Sequence, residues 1–290
     1  MSLAWLRRLW SLTTGRVGLL IVLTVGAVAL ASLFWLPFDP RTVDIAARWQ
    51  NPSWPHVMGT DGSGRDILSL IMAGARTTVW VALGAGLVAT VIGILLAALG
   101  ALTARWVRET TAVLVDILIA FPVLIIAMMI STVAGGSLWV VILSVGIGFG
   151  VNVARVTRPE LRRVLHSDFV TAGRASGLTA WQNLWRHLFP NVAPVFIVQL
   201  SWGMAVAVLA EAGLSFLGFG APVTEPSWGV LLSELQAYIT VHPVSVVWPG
   251  LAITLTVLGL NLLGDALREA TDPTLSRRRD DEVRMPEVVA

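Results

Sequence analysis

Long stretches of this sequence carry no charged side chain: 17–38, 77–104, 117–154, 187–210 and 235–264. A helix crossing the hydrocarbon core of a bilayer, about 30 Å thick, needs about 20 apolar residues at about 1.5 Å each. No water is available there, so such a stretch must close its own backbone hydrogen bonds as a helix. The run 117–154 is too long for one crossing, and Ala-Gly-Gly-Ser at 134–137 divides it. The sequence predicts an all-α integral membrane protein with six spans, near 17–36, 77–103, 112–133, 138–155, 191–210 and 245–264.

Composition excludes several alternatives. Only 13% of the 290 residues are charged and 56% are hydrophobic, whereas soluble domains carry about 25% charged residues. A soluble fold this poor in charge would expose large apolar patches to water. The N-terminus has a basic flank and an apolar core, like a signal peptide, but that core is too long for a cleaved signal and reads as a retained anchor. The absence of cysteine rules out disulfides, thiol catalysis and cysteine metal sites. The four histidines lie far apart, so no metal centre is expected. All twenty basic residues are arginine. A Walker A loop needs a lysine on the β- and γ-phosphates, so any ATP that drives this chain is hydrolysed by another. Schiff-base catalysis on lysine is excluded too. The net charge is only +2 and the arginines are spread among loops, so no nucleic-acid face is expected.

Arginine placement orients the spans. With both termini inside, inner segments hold sixteen arginines and outer segments only Arg41, Arg48, Arg65 and Arg76. The positive-inside rule then puts the N- and C-termini in the cytoplasm.

The outer stretch Met58–Thr78 crowds glycines and aspartates around one arginine. A phosphate cradle would want a preceding strand, and a calcium loop would want a ligand where Arg65 stands. The structural reading is a staple: Gly59, Gly62 and Gly64 permit positive φ, and Arg65 pairs with Asp61 and Asp66 at the mouth of the second span. Contact with a docking protein or with the pore mouth is the alternative.

The longest polar cytoplasmic segment before the tail lies between spans four and five. Ser167 or Asp168 can cap a short helix reaching to about Ser176. Gly177 then breaks it, Thr179-Ala180-Trp181-Gln182 has a capping-box pattern, and Pro190 ends the second helix. The segment reads as helix, glycine elbow, helix.

Here the sequence resembles a known family. The segment TAGRASGLTAWQNLWRHLFP is similar to the EAA loop of binding-protein-dependent ABC importers, with Thr171, Ala172 and Gly173 in the Glu-Ala-Ala places and Gly177 as the glycine. His187, Phe189 and Pro190 take the Ile, Leu and Pro places, and the acidic residue is missing. Asp168, three residues earlier on the same helical face, is the candidate to supply that carboxylate. GTDGSGRDILSLIMAGAR, EAGLSFLGFGAPVTEPSWG and NLLGDALREATDPTL resemble segments of the C-type permease subunit of dipeptide and oligopeptide importers, though Leu70 stands where that family often has arginine.

The resemblance implies a type I ABC importer permease fold and a non-catalytic subunit. Asp168, Thr171, Ala172, Gly173, Arg174, Gly177, Leu178 and Pro190 would form the loop that couples to the ATPase, with Pro190 and Pro194 as pivots. It implies a second homologous permease, two ATPases holding ATP and Mg, an external substrate-binding protein, and no cofactor in this chain. The expected division is a cytoplasmic N-terminus (1–16), first span and outer loop (17–76), permease core (77–275) with coupling loop 156–190, and a disordered tail (276–290) with a basic inner-leaflet patch.

Other residues stay open between roles. Asp116 either pairs with Arg105 or Arg108 or lines the pathway. Glu211 precedes GLSFLGFG, which reads as a re-entrant or interfacial segment that either gates or packs. Asp61, Arg65, Asp66, Glu211, Phe216 and Trp228 are the candidates for an outer gate or binding-protein contact. Cargo is open among dipeptides, oligopeptides, glutathione-like peptides and nickel chelates. A stand-alone secondary transporter would need more intramembrane charge than Asp116 and an internal repeat. A non-transporting scaffold is the third reading.

Overall fold

The computed structural model describes residues 4–222 and 224–271; within these, the side chains of residues 4–7, Arg174, Ala180, Trp181, Leu184 and Trp185 are not described. The expected tail 276–290 therefore lies outside the described residues. Among the described residues the architecture is helical, and the one β feature is an isolated bridge between Thr60 and Asp66.

A short helix, α1 (Ala4–Ser11), leads into α2 (Thr13–Phe34), the first apolar span. A loop with one 3-10 turn (Ile45–Ala47) follows, then α3 (Ile67–Leu102). The Asp66 side chain caps α3 by accepting from the Ser69 N–H at 2.7 Å. With 36 residues, α3 is about 54 Å long, far beyond a bilayer core. It starts ten residues before the expected span, so the boundary expected at 76/77 falls inside a helix.

The expected span 112–133 is broken. α4 (Arg105–Ile119) and α5 (Val123–Ala134) meet at 82° across Ala120–Pro122. Pro122 lacks an N–H and restricts Phe121, which explains the break. The described residues thus hold five long apolar helices, or six spans when the bent pair counts as one.

α6 (Leu138–Leu165) is capped by Ser137. α7 (Asp168–Ala175) and α8 (Ala180–Asn183) form the elbow segment, and a π-turn (Leu184–Leu188) joins it to α9 (Phe189–Phe216). α10 (Trp228–Gln236) and α11 (Pro243–Thr271) complete the bundle.

The core has two main layers. Val81 and Ala85 of α3, Ala127 of α5, Val141, Ile142 and Val145 of α6, and Ala207 and Leu214 of α9 form one. Ala29 of α2, Ala75 of α3, Ala212 of α9, Trp228 of α10 and Ile253 of α11 form the other. α3 and α6 approach closely because glycine lines their seam: a Cβ on Gly146 would lie 2.6 Å from Val88 Cβ, and one on Gly150 2.7 Å from Ile92 Cβ. Close backbone approach through small residues is how apolar helices associate in lipid. Outward-facing side chains such as Leu20, Leu23, Leu30 and Leu87 are exposed, which suits a lipid-facing surface.

The segment expected to dip back, GLSFLGFG, instead continues α9 to Phe216 and then turns at Leu217–Gly220. The element that returns to pack among the helices is α10, whose Trp228, Leu231 and Leu235 are buried.

Candidate functional site

Two clusters of predicted site residues sit at opposite ends of α3. The first is the elbow between α6 and α9. Ser167 stands at the start of α7, but its hydroxyl donates back to the Val164 carbonyl at 2.5 Å rather than capping forward. α7 closes at Gly177, whose φ is +81°, with the Leu178 N–H donating to the Gly173 carbonyl at 3.0 Å. This is a Schellman-type close, in which glycine tolerates the left-handed conformation. The next turn is a reciprocal capping box: the Gln182 N–H donates to Thr179 Oγ1 at 3.2 Å, and the Thr179 N–H donates to Gln182 Oε1 at 2.9 Å.

Pro190 does not end the second helix. It is the second residue of α9, where its missing N–H has no helical partner to lose. The elbow therefore runs through the π-turn into α9 without a break. Its inner side is anchored by Val170, which is fully buried with Leu161 and Val164 of α6, Leu188, and Val192 of α9. Its outer side presents Asp168, Thr171, Ala172, Ser176, Gly177 and Gln182. Leu178 and Pro190 are half-buried. The Arg174 side chain lies outside the described residues.

Asn183 is a clamp that the sequence reading did not identify. It is buried (4% exposed), and a Cβ on Gly173 would lie 2.6 Å from its Oδ1. Gly173 thus lets α7 and α8 fold against each other. A glycine in a short amphipathic helix, ten residues before an asparagine, was the available signal.

The second cluster is the staple at the start of α3. Asp61 is buried, with Oδ1 accepting from the Ser63 and Arg65 N–H groups at 2.8 and 2.9 Å. Its Oδ2 accepts from Arg65 Nε at 2.6 Å, and the other arm of Arg65 reaches Glu234 of α10 at 2.5 Å. Burial works against the Arg65 charge, but Asp61 and Glu234 together raise its pKa above the ordinary arginine value.

The expected pairing of Arg65 with Asp66 does not form. Asp66 caps α3, accepts from the Ser69 hydroxyl at 2.7 Å and faces His56 Nδ1 at 3.0 Å. Of the three glycines expected at positive φ, Gly59 and Gly64 adopt it, while Gly62 lies against the Trp49 ring. Glu234 was missed, although it is the sole carboxylate between residues 226 and 264.

The remaining outer candidates divide. Glu211 is 1% exposed, and its Oε1 accepts from the hydroxyls of Ser215 and Ser227 at 2.8 Å each. Ser215 Oγ accepts from the Ala221 N–H and Ser227 Oγ from the Gly229 N–H. One carboxyl thus ties the end of α9 to the start of α10. Trp228 is 2% exposed and donates its indole N–H to the Ile71 carbonyl at 2.8 Å, so it is an internal strut between α10 and α3 and faces no outer cavity. Phe216 is half-buried at the last turn of α9.

Among the described residues Asp116 makes neither expected ion pair: Arg105 binds Glu109 at 2.8 Å, and neither Asp116 nor Arg108 has an oppositely charged side chain within ion-pair distance. Asp116 instead borders a cavity shared with Arg155, Arg158 and Arg162.

Comparison with known proteins agrees with this architecture. The family described as the binding-protein-dependent transport system inner membrane component matches residues 89–277. A candidate peptide permease protein of Brucella suis is 34% identical over 258 residues, which cover 88% of this chain and 85% of that protein. The nickel transport system permease protein NikC of Escherichia coli K12 is 32% identical over 266 residues, 92% of this chain and 95% of that protein. A chain of the MetNI methionine ABC transporter, in inward-facing conformations, superposes with a TM-score of 0.57 at 20% identity, covering 70% of this chain and 97% of that chain. That likeness shows the ABC importer permease fold. The family description spans well over half of the chain and the relatives align along most of it, so this multi-pass protein belongs to the inner membrane permease components of binding-protein-dependent ABC importers.

Proposed function

We propose that this chain is the translocation subunit of an importer of dipeptides or oligopeptides, and that partner ATPases move it through residues 168–190. One observation carries the reading. The elbow is folded by its own cap and clamp, packs on α6 and α9 through Val170, and continues directly into α9. A push on its exposed side is therefore delivered to a spanning helix as a rigid-body movement.

In this reading the termini and the elbow face the cytoplasm, which the arginine distribution supports. ATP and Mg are held by two ATPase chains, because this lysine-free chain has no Walker A loop. A second, homologous permease supplies the other half of the pore, and an external binding protein delivers the cargo near the staple. Asp168 replaces the glutamate of the EAA pattern at the ATPase contact.

Peptide cargo is supported by the names of the relatives, including a candidate peptide transport system permease protein of Brucella suis at 33% identity over 272 residues. The similarity to a nickel permease favours a metal chelate as the second reading.

The test is purification of the chain from its native membrane. Stoichiometric ATPase chains are expected to accompany it, and peptide-loaded binding protein should stimulate their hydrolysis. Stimulation only by a nickel-loaded protein would move the assignment to the second reading, and absence of ATPase chains would overturn the first.

A further inference from the structure

A cavity of about 440 Å³ opens between α3, α4 and α6, at the end of the bundle that carries the elbow. Arg155, Arg158 and Arg162 line it, with Asp116 as its one carboxylate and Leu96 and Val115 among its apolar walls. The three arginines recur at helical spacing on one stripe of α6. Among the described residues, none of them has a carboxylate within ion-pair distance.

Two of the guanidinium groups are held in place. Arg158 Nε and an Arg162 terminal nitrogen both donate to the Gly100 carbonyl near the C-terminal end of α3, at 3.1 Å each. Gly100 admits the Arg158 stem, since a Cβ there would lie 3.0 Å from Arg158 Cδ. A guanidinium has five N–H donors, so most remain free. Three like charges on one wall repel one another, and an anion shared between them relieves that cost. Leu96 of α3 and Val115 of α4 form the cavity's apolar walls, and Leu95, Leu99 and Leu102, neighbours of Leu96 along α3, are exposed, so apolar surface adjoins the cationic mouth.

A cationic mouth adjoining apolar surface matches a molecule with an anionic head and an acyl tail. We propose that this cavity binds the phosphate headgroup of an anionic phospholipid, with its acyl chain lying along α3 and α4. Guanidinium pairs phosphate oxygens through two parallel hydrogen bonds, which suits arginine to this role. A bound lipid would brace α4 against α6, directly behind the elbow.

The experiment uses the full chain, purified with its partner subunits and placed in nanodiscs of phosphatidylcholine with increasing phosphatidylglycerol. Native mass spectrometry counts the retained anionic lipid. Wild type is expected to retain phosphatidylglycerol. The double variant Arg158→Gln/Arg162→Gln should bind it about thirty-fold more weakly, since each arginine near an anionic surface contributes about five-fold. Arg105→Gln, on α4 but outside the cavity, should match wild type. Millimolar inorganic phosphate should not displace the lipid. If melting in pure phosphatidylcholine shows that the double variant is unfolded, Arg155→Gln replaces it; Arg155 is exposed and should weaken binding about five-fold. Equal retention by wild type and the folded variant overturns the proposal. Displacement by free phosphate also overturns it and marks the cavity as a site for a soluble anion.

Discussion

The Arg65 guanidinium donates to the Glu234 carboxylate at 2.5 Å, joining two residues 169 positions apart in the sequence. This bond ties the loop before α3 to α10, while the other side of Arg65 holds Asp61. The two carboxylates differ in burial: the Asp61 side chain is 4% exposed and that of Glu234 38%.

That difference predicts unequal costs. Asp61→Ala strands a half-buried arginine and two backbone N–H groups, and should cost about 3 kcal/mol. Glu234→Gln removes a solvent-exposed partner and should cost under about 1 kcal/mol. Thermal unfolding of the purified variants in detergent measures both. Equal losses would show that the outer loop is not pinned mainly through Asp61.

Glu211 makes a different prediction. Its Oε1 accepts from two buried hydroxyls, so Glu211→Gln keeps the acceptor and should stay within about 1 kcal/mol of wild type. Glu211→Ala orphans Ser215 and Ser227 and should cost about 2–3 kcal/mol. The same melting experiment reads both, together with proteolysis between α9 and α10, which should rise in the alanine variant only.

The α3–α6 seam should not tolerate side chains. Gly150→Leu would drive a Cβ to 2.7 Å from Ile92 Cβ and 3.1 Å from the Ala89 carbonyl. Overpacking of this kind costs about 1–3 kcal/mol, or more where backbone blocks relief. Loss of a monodisperse peak in size-exclusion chromatography is the expected result, and an unchanged melting temperature would contradict the seam.

How much of this the sequence shows depends on the range of each interaction. The spans were legible because hydrophobic run length acts locally, and the elbow because Gly177 and the Thr179–Gln182 box are local signals. The 82° break at Ala120–Pro122 was signalled by Phe121-Pro122 but masked by the hydrophobicity on both sides. Arg65–Glu234 and Trp228–Ile71 depend on tertiary packing that no local window contains, whereas Gly173–Asn183, only ten residues apart, depends on how α7 and α8 fold against each other. Pro190 was misplaced because proline can open a helix as readily as it ends one.

The orientation is directly testable because the chain has no cysteine. Single cysteines at the exposed positions Ser53 and Ser176 provide one label site near each end of α3. A membrane-impermeant maleimide applied to intact cells should label Ser53→Cys at once and Ser176→Cys only after permeabilisation. The reverse pattern would invert the topology.

Force delivery through the elbow has two consequences. Gly177→Pro cannot adopt the φ of +81° found there, so uptake should be lost while membrane insertion is retained. The most direct measurement is site-specific photocrosslinking from Thr171, on the exposed side of α7, in native membranes. The predicted result is a covalent adduct with an ATPase chain, weakened when Asp168 is replaced by alanine. Adducts only with exterior proteins, or none with any ATPase, would contradict the claim that this elbow receives the force of ATP hydrolysis.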